Sequence, residues 1–153
     1  MKIAIKILIG IVALLHLYFL YFEMFAWTTK GRKVFRNFPA ELFEPTKSMA
    51  ANQGLYNGFL AAGLIWTFFI EDPTWKWHIA LFFLGCVAIA GIFGAVTVTK
   101  KIFFIQALPA LITMILILFK WWKPYCPFAN PNNNIFIWTN DSRRSSTKTI
   151  GNL

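Results

Sequence analysis

The chain has 153 residues, of which 58% are apolar or aromatic and only 14% are charged, and its mean hydropathy is +0.56. Soluble proteins carry about 25% charged residues, and a soluble domain of this size leaves roughly 30% of its chain surface exposed. Seventeen Phe and seven Trp are more than one such core can hide. The composition excludes a disordered protein, a disulfide scaffold and a nucleic-acid-binding domain, and it predicts an integral membrane protein.

The net charge of +9 would suggest nucleic acid in a soluble protein. Here the basic residues lie between and beside apolar runs, where they orient helices and meet anionic lipid headgroups. We therefore expect membrane lipids, and no nucleic acid, as partners. Cys86 and Cys126 are far apart and form no CxxC pair, and no P-loop, Rossmann or HExxH motif occurs. The sequence thus predicts neither a metal nor a cofactor.

Four apolar runs are long enough to cross a bilayer as helices, since a hydrocarbon core takes about 20 helical residues. These predicted spans cover residues 3–27, 49–70, 79–98 and 102–119. The predicted fold is all-α: a four-helix transmembrane bundle within residues 1–122, followed by an irregular, polar and basic tail over residues 123–153. Asp72 and Pro73 are predicted to start the third helix, as a cap followed by proline at the first helical position. Basic residues are slightly more numerous in the first and third connections, which places those connections in the cytoplasm.

Few polar side chains interrupt these runs, and each is a functional hypothesis because a polar group in hydrocarbon is costly. His16 and Glu23 are seven residues apart, so they point within about 20° of each other on a helix. With the helices antiparallel, most of the other polar residues fall toward the same side of the membrane as Glu23. The pattern predicts a pocket with a carboxylate at its mouth and an imidazole at its base. The candidate ligand-binding residues are His16, Glu23, Asn52, Gln53, Tyr56, Asn57 and Gln106.

Small residues recur in the third run at the spacing that lets helix backbones approach closely. Gly85, Gly91 and Gly94 form this set, and they predict either tight packing within the chain or a homodimer through this face. Gly54 and Gly58 give the second run a similar face.

Five segments with unusual sequences occur in order along the chain: HLYFLYFEMFAW (16–27), GRKVF (31–35), ANQGLYNGFLAAG (51–63), LGCVAIAGIFG (84–94) and QALPA (106–110). Together they resemble a family of small integral-membrane proteins, domain-of-unknown-function family 1304 (DUF1304). The resemblance covers about residues 1–120 and implies four transmembrane helices in a bacterial inner membrane. It implies no activity, and the chain departs from the family pattern beyond about residue 122.

Three functions are compatible with these residues. The first is a membrane protein whose intramembrane pocket binds a small amphipathic molecule, as a transporter or carrier component. The second is a membrane-embedded, isomerase-like enzyme acting on a lipid-soluble substrate, in which His16 and Glu23 would be the catalytic acid and base. The third is a ligand-free structural or assembly protein, in which polar residues such as Gln53 and Gln106 only join neighbouring helices.

Overall fold

The computed structural model describes residues 2–36 and 38–125, with side chains from Ile3 to Lys120. Within these residues the chain is mainly helical, as predicted. Of the predicted tail, residues 123–153, the part from residue 126 onward lies outside them. The helices are α1 (Lys2–Phe25), a π-helical turn (Trp27–Gly31), α2 (Arg32–Val34), a 3-10 turn (Ala40–Leu42), α3 (Lys47–Trp66), α4 (Pro73–Thr97), a π-helical segment (Phe103–Ala107) and α5 (Leu108–Tyr125).

Three of these helical stretches are long and apolar enough to cross a membrane: Ile3–Phe25, Pro73–Thr97 and Phe103–Lys120. They coincide with the first, third and fourth predicted spans. The second predicted span, 49–70, corresponds to α3, which is not among them. It is less apolar because it carries Asn52, Gln53 and Asn57, and it ends at Trp66 rather than at residue 70.

The two ends of the second connection are built by local hydrogen bonds. After α3, the Thr67 amide bonds to the Leu64 carbonyl at 3.2 Å, and its hydroxyl donates to the same carbonyl at 2.6 Å. This tighter turn ends the helix. At the start of α4, Asp72 Oδ1 accepts from the Trp75 amide at 2.7 Å, with Pro73 at the first helical position. The predicted cap of α4 is therefore confirmed.

The buried apolar core is shared by the four long helices. The contribution of α1 is mainly large aliphatic side chains and that of α3 is Leu64, whereas α4 and α5 contribute both small and large side chains. Its members include Ile5, Ile9, Val12, Leu64, Ala80, Leu84, Val87, Ala110 and Ile117. Many other large apolar side chains on these helices point outward and are exposed, among them Leu14, Phe59, Ile89, Phe93 and Ile115. An apolar exterior of this kind is what a lipid environment requires.

Two glycines of α3 let this helix pack closely against α1. A Cβ on Gly54 would lie 3.1 Å from the Leu20 carbonyl oxygen and 2.8 Å from Met24 Cγ, and a Cβ on Gly58 would overlap with Leu20 Cδ1. The backbone of Leu20 thus lies against Gly54, and its side chain lies against Gly58. The four-residue spacing of the glycines is used for packing within the chain.

A second close approach joins α4 to the π-helical segment before α5. A Cβ on Gly91 would lie 2.7 Å from the backbone nitrogen of Ala107, and one on Gly94 would lie 3.1 Å from Ile102. A Cβ on Gly85 would have no atom of the described residues within 4 Å. Of the three glycines considered for a homodimer, Gly91 and Gly94 therefore pack against the chain itself, and self-association through Gly85 stays a prediction.

Candidate functional site

An open cleft of about 300 Å³ lies between the end of α1, the first connection and the start of α3. Its lining residues are Glu23, Trp27, Phe38, Thr46, Met49, Ala50 and Gln53. The volume is at the lower end of the range, about 300–1,000 Å³, of sites that bind small molecules. The lining combines one carboxylate, an amide and a hydroxyl with aromatic and aliphatic walls, and none of the described residues in it is basic.

Glu23 is held in this cleft by a hydrogen bond from α3. Asn57 is only 6% exposed, and its Nδ2 donates to Glu23 Oε2 at 2.7 Å. The bond is possible because α3 passes close to α1, where a Cβ on Gly54 would lie 3.1 Å from Glu23 Cβ. Among residues 3–36 and 38–120, whose side chains the structure describes, Asn57 is the only hydrogen-bond or ion-pair partner of this carboxylate.

The indole of Trp27 forms a fixed aromatic wall of the cleft. Its Nε1 donates to Thr46 Oγ1 at 3.0 Å, and that hydroxyl donates in turn to the Leu42 carbonyl at 2.6 Å. The ring centroids of Phe38 and Phe43 lie 6.0 and 5.3 Å from Trp27. Hydrogen bonds and ring contacts therefore hold this wall in place before anything binds.

Two basic residues of the first connection lie against aromatic rings. Lys30 Nζ is 5.1 Å from the centroid of the Tyr21 ring, and the guanidinium of Arg32 is 5.7 Å from that of Phe43. Both distances are within the range of cation–π attraction. These positive charges are therefore directed to ring faces and not to the Glu23 carboxylate.

His16 is buried in α1 apart from the cleft. It is 1% exposed, and its Nδ1 lies 2.8 Å from the Val12 carbonyl oxygen. A carbonyl oxygen can only accept a hydrogen bond, so Nδ1 must be the donor. We therefore assign the ring hydrogen to Nδ1 and a free lone pair to Nε2. That Nε2 has no partner among the residues the structure describes. His16 does not line the cleft, so the structure does not bring the imidazole and the carboxylate into one cavity.

The remaining candidates differ in their placement. Gln53 lines the cleft, whereas Asn52 and Tyr56 are exposed on α3. Gln106 is half-buried in the π-helical segment and is not part of the cleft lining. The structure thus brings Glu23, Gln53 and Asn57 together. In the part of the chain described, no three His, Cys, Asp or Glu side chains are grouped as metal ligands.

Sequence reasoning missed five lining residues: Trp27, Phe38, Thr46, Met49 and Ala50. Trp27 lies four residues after Glu23, on the same helical stripe, and this spacing was the available signal. Thr46 directly precedes α3, but its side chain caps no amide of that helix and lines the cleft instead. Phe38 lies in an irregular connection, where no periodicity indicates which way a side chain points.

The comparisons with known proteins agree with the resemblance found in the sequence. The model of a family described as protein of unknown function (DUF1304) matches residues 10–118. An uncharacterized protein, YpaA, from Lactococcus lactis subsp. lactis (strain IL1403) is 31% identical over 117 residues, which cover 75% of this chain and 97% of YpaA. No solved structure matches the chain.

Proposed function

We propose that this chain, which belongs to the DUF1304 family, is a multi-pass protein of a bacterial inner membrane that binds a small amphipathic molecule in the Glu23 cleft. The observation that carries the proposal is the hydrogen bond from Asn57 to Glu23 beside the wall of Trp27. A carboxylate near one end of an apolar helix, next to an aromatic wall, offers a polar contact to a headgroup and an apolar contact to a chain.

In this proposal α3 is a fourth crossing helix. Its 20 residues span about 30 Å at 1.5 Å per residue, which is the thickness of a hydrocarbon core. Its most buried polar side chain, Asn57, is hydrogen-bonded to Glu23, which reduces the cost of placing it in the membrane. Asn52 and Gln53 lie in the second turn of α3, near the end that would meet the headgroups.

A cleft that is open at one end of the helices suits a carrier more than a sealed binding protein. Four helices are few for a complete transporter, so the chain would act as a carrier component or as a homodimer through the face of Gly85. The acid–base alternative has less support, because His16 does not share the Glu23 cleft. The ligand-free alternative predicts that the bond between Asn57 and Glu23 serves helix packing alone.

The fourth crossing is tested by cysteine labelling in intact cells and in opened cells. Starting from a chain with Cys86 and Cys126 replaced by Ala, one variant carries Lys33→Cys and another Thr74→Cys. We expect a membrane-impermeant maleimide to reach the two positions from opposite sides of the membrane. Labelling of both from the same side would show that α3 does not cross.

Ligand binding is tested by mass spectrometry of the protein extracted in mild detergent. We expect a small amphipathic molecule to accompany the wild type and to be lost from Glu23→Gln, which keeps the shape of the side chain. The matched control is Glu44→Gln, which removes the same charge from an exposed position in the first connection. If wild type and Glu23→Gln carry the same molecules, or neither carries any, the cleft is a packing feature.

A further inference from the structure

We infer that the ligand of the Glu23 cleft carries an ammonium group, so that the cleft is a site for an amphipathic amine. This inference rests on the proposed function and specifies its ligand. It depends on the charges around the cleft, on the partner that Glu23 has, and on the rings beside it.

The carboxylate in the cleft lacks a positive partner from the described part of the chain. Asn57 gives Glu23 one neutral donor, to Oε2, and Oε1 takes no hydrogen bond from residues 3–36 or 38–120. Carboxylates withdrawn from water are normally paired with a cation. A half-buried carboxylate that receives a single amide donor is therefore suited to a charged donor from outside the chain.

The basic residues of the first connection do not fill this role. Lys30 and Arg32 follow Glu23 within the next nine positions, yet both lie against aromatic rings, those of Tyr21 and Phe43. Among the residues that the structure describes, none of those lining the cleft is Lys or Arg. An anionic headgroup would thus meet a carboxylate and no cation, whereas an ammonium group would meet a carboxylate and no competing charge.

The aromatic wall favours the same class of ligand. The indole of Trp27 is the best cation–π acceptor among side chains, and it is fixed by its hydrogen bond to Thr46. Phe38 and Met49 add apolar surface beside it. An ammonium group placed between Glu23 and Trp27 would contact both charge and ring, and its alkyl chain would extend along the apolar exterior of the helices.

The test compares amphiphiles of one chain length that differ only in the headgroup. Decylammonium, decanol and decyl sulfate are titrated calorimetrically into the protein in dodecyl maltoside micelles, with protein-free micelles subtracted. We expect decylammonium to bind at least about tenfold more tightly than decanol, because a charged hydrogen bond replaces a neutral one, and decyl sulfate to bind more weakly than decanol.

The variants separate charge from shape. Glu23→Gln should remove the preference for decylammonium and leave the affinity for decanol unchanged, whereas the control Glu44→Gln should leave both unchanged. If Glu23→Gln does not fold, the ranking of the three amphiphiles on wild type still decides the question. Added phosphatidylethanolamine that competes with decylammonium would assign the ammonium to a lipid headgroup, and absence of competition would assign it to a free amine.

The two proposals fail in different ways. Equal affinity for decylammonium and decanol, or an unchanged preference in Glu23→Gln, would overturn the ammonium site and leave amphiphile binding intact. Absence of binding by all three amphiphiles would overturn the proposed function as well.

Discussion

Asn57 Nδ2 donates to Glu23 Oε2 at 2.7 Å, and this bond joins the middle of α3 to the last turn of α1. The same two helices pack closely around Gly54 and Leu20, within one turn of this bond. Packing and hydrogen bonding thus depend on each other here, because only a short separation of the helix axes lets an asparagine reach the carboxylate. Substitution of either the asparagine or the glycine should therefore weaken the contact between the two helices.

Removing the donor should weaken the protein. Asn57→Ala leaves the half-buried Glu23 without its only described partner, and we expect the free energy of unfolding to fall by about 1–2 kcal/mol. Unfolding by SDS in mixed micelles measures the difference. Asn52→Ala is the control, since it makes the same change at an exposed position of the same helix, and equal losses in the two variants would contradict the prediction.

Gly54 and Gly58, which lie against Leu20 of α1, should differ in how much a substitution by alanine destabilises the protein. A Cβ at position 54 would lie 3.1 Å from the Leu20 carbonyl oxygen, whereas at position 58 its only close neighbour is the end of the Leu20 side chain. Because backbone moves less readily than a side-chain methyl, we expect Gly54→Ala to cost about 1–3 kcal/mol. Gly58→Ala should cost less, since Leu20 can rotate away, and thermal unfolding of both variants in detergent measures the order.

The third helix of the predicted bundle, α4, offers a similar comparison. Gly91→Ala places a methyl group 2.7 Å from the backbone nitrogen of Ala107, and we expect it to lower stability by about 1–3 kcal/mol. Gly85→Ala meets no atom of the described residues within 4 Å and should be neutral or stabilising by up to about 1 kcal/mol, because alanine favours a helix over glycine. A clear loss of stability and of oligomer size in Gly85→Ala would instead indicate that a second copy covers this position.

Substitution of the buried imidazole of His16 should not lower stability, in contrast to the substitutions of Asn57, Gly54 and Gly91. His16→Leu removes a buried Nε2 that has no described partner, and it leaves the Val12 carbonyl within the helix. We expect stability to stay the same or to rise by about 1 kcal/mol, since an unpartnered polar atom is costly to bury. A loss of more than that amount in SDS unfolding would mean that Nε2 is bound to something, and it would restore His16 as a functional candidate.

The helices could be predicted from composition and capping, but the C-terminal end of α3 could not. Long apolar runs identify α1, α4 and α5, and Asp72 with Pro73 marks the start of α4. The apolar sequence continues past Trp66, yet the bonds of Thr67 to the Leu64 carbonyl turn the chain out of the helix. Hydropathy carries no information on such local hydrogen bonding.

Only part of the candidate site could be predicted from the sequence, because helical spacing does not show how the helices and connections pack around a side chain. Helical spacing places His16 and Glu23 on one face of α1, but it does not tell which of them borders a cleft. Glu23 lies beside Gly54 and lines the cleft, whereas His16 is buried and is not part of the lining. The contribution of Phe38 depends on the course of the first connection after the π-helical turn Trp27–Gly31, which no sequence period reveals.

In the π-helical segment Phe103–Ala107, the number of residues between α4 and α5 determines which type of helical turn can join them. A π-helical turn holds one residue more than an α-helical turn, so deletion of one residue there would let a continuous α-helix form. At its present length, the same segment wound as an α-helix would rotate Ile102 by about 100° around the axis of α5 and carry it away from Gly94. The π-helical turn therefore accommodates one extra residue and keeps the helix contact. Relatives that lack one residue in this segment should form an α-helical turn there and keep the same contact.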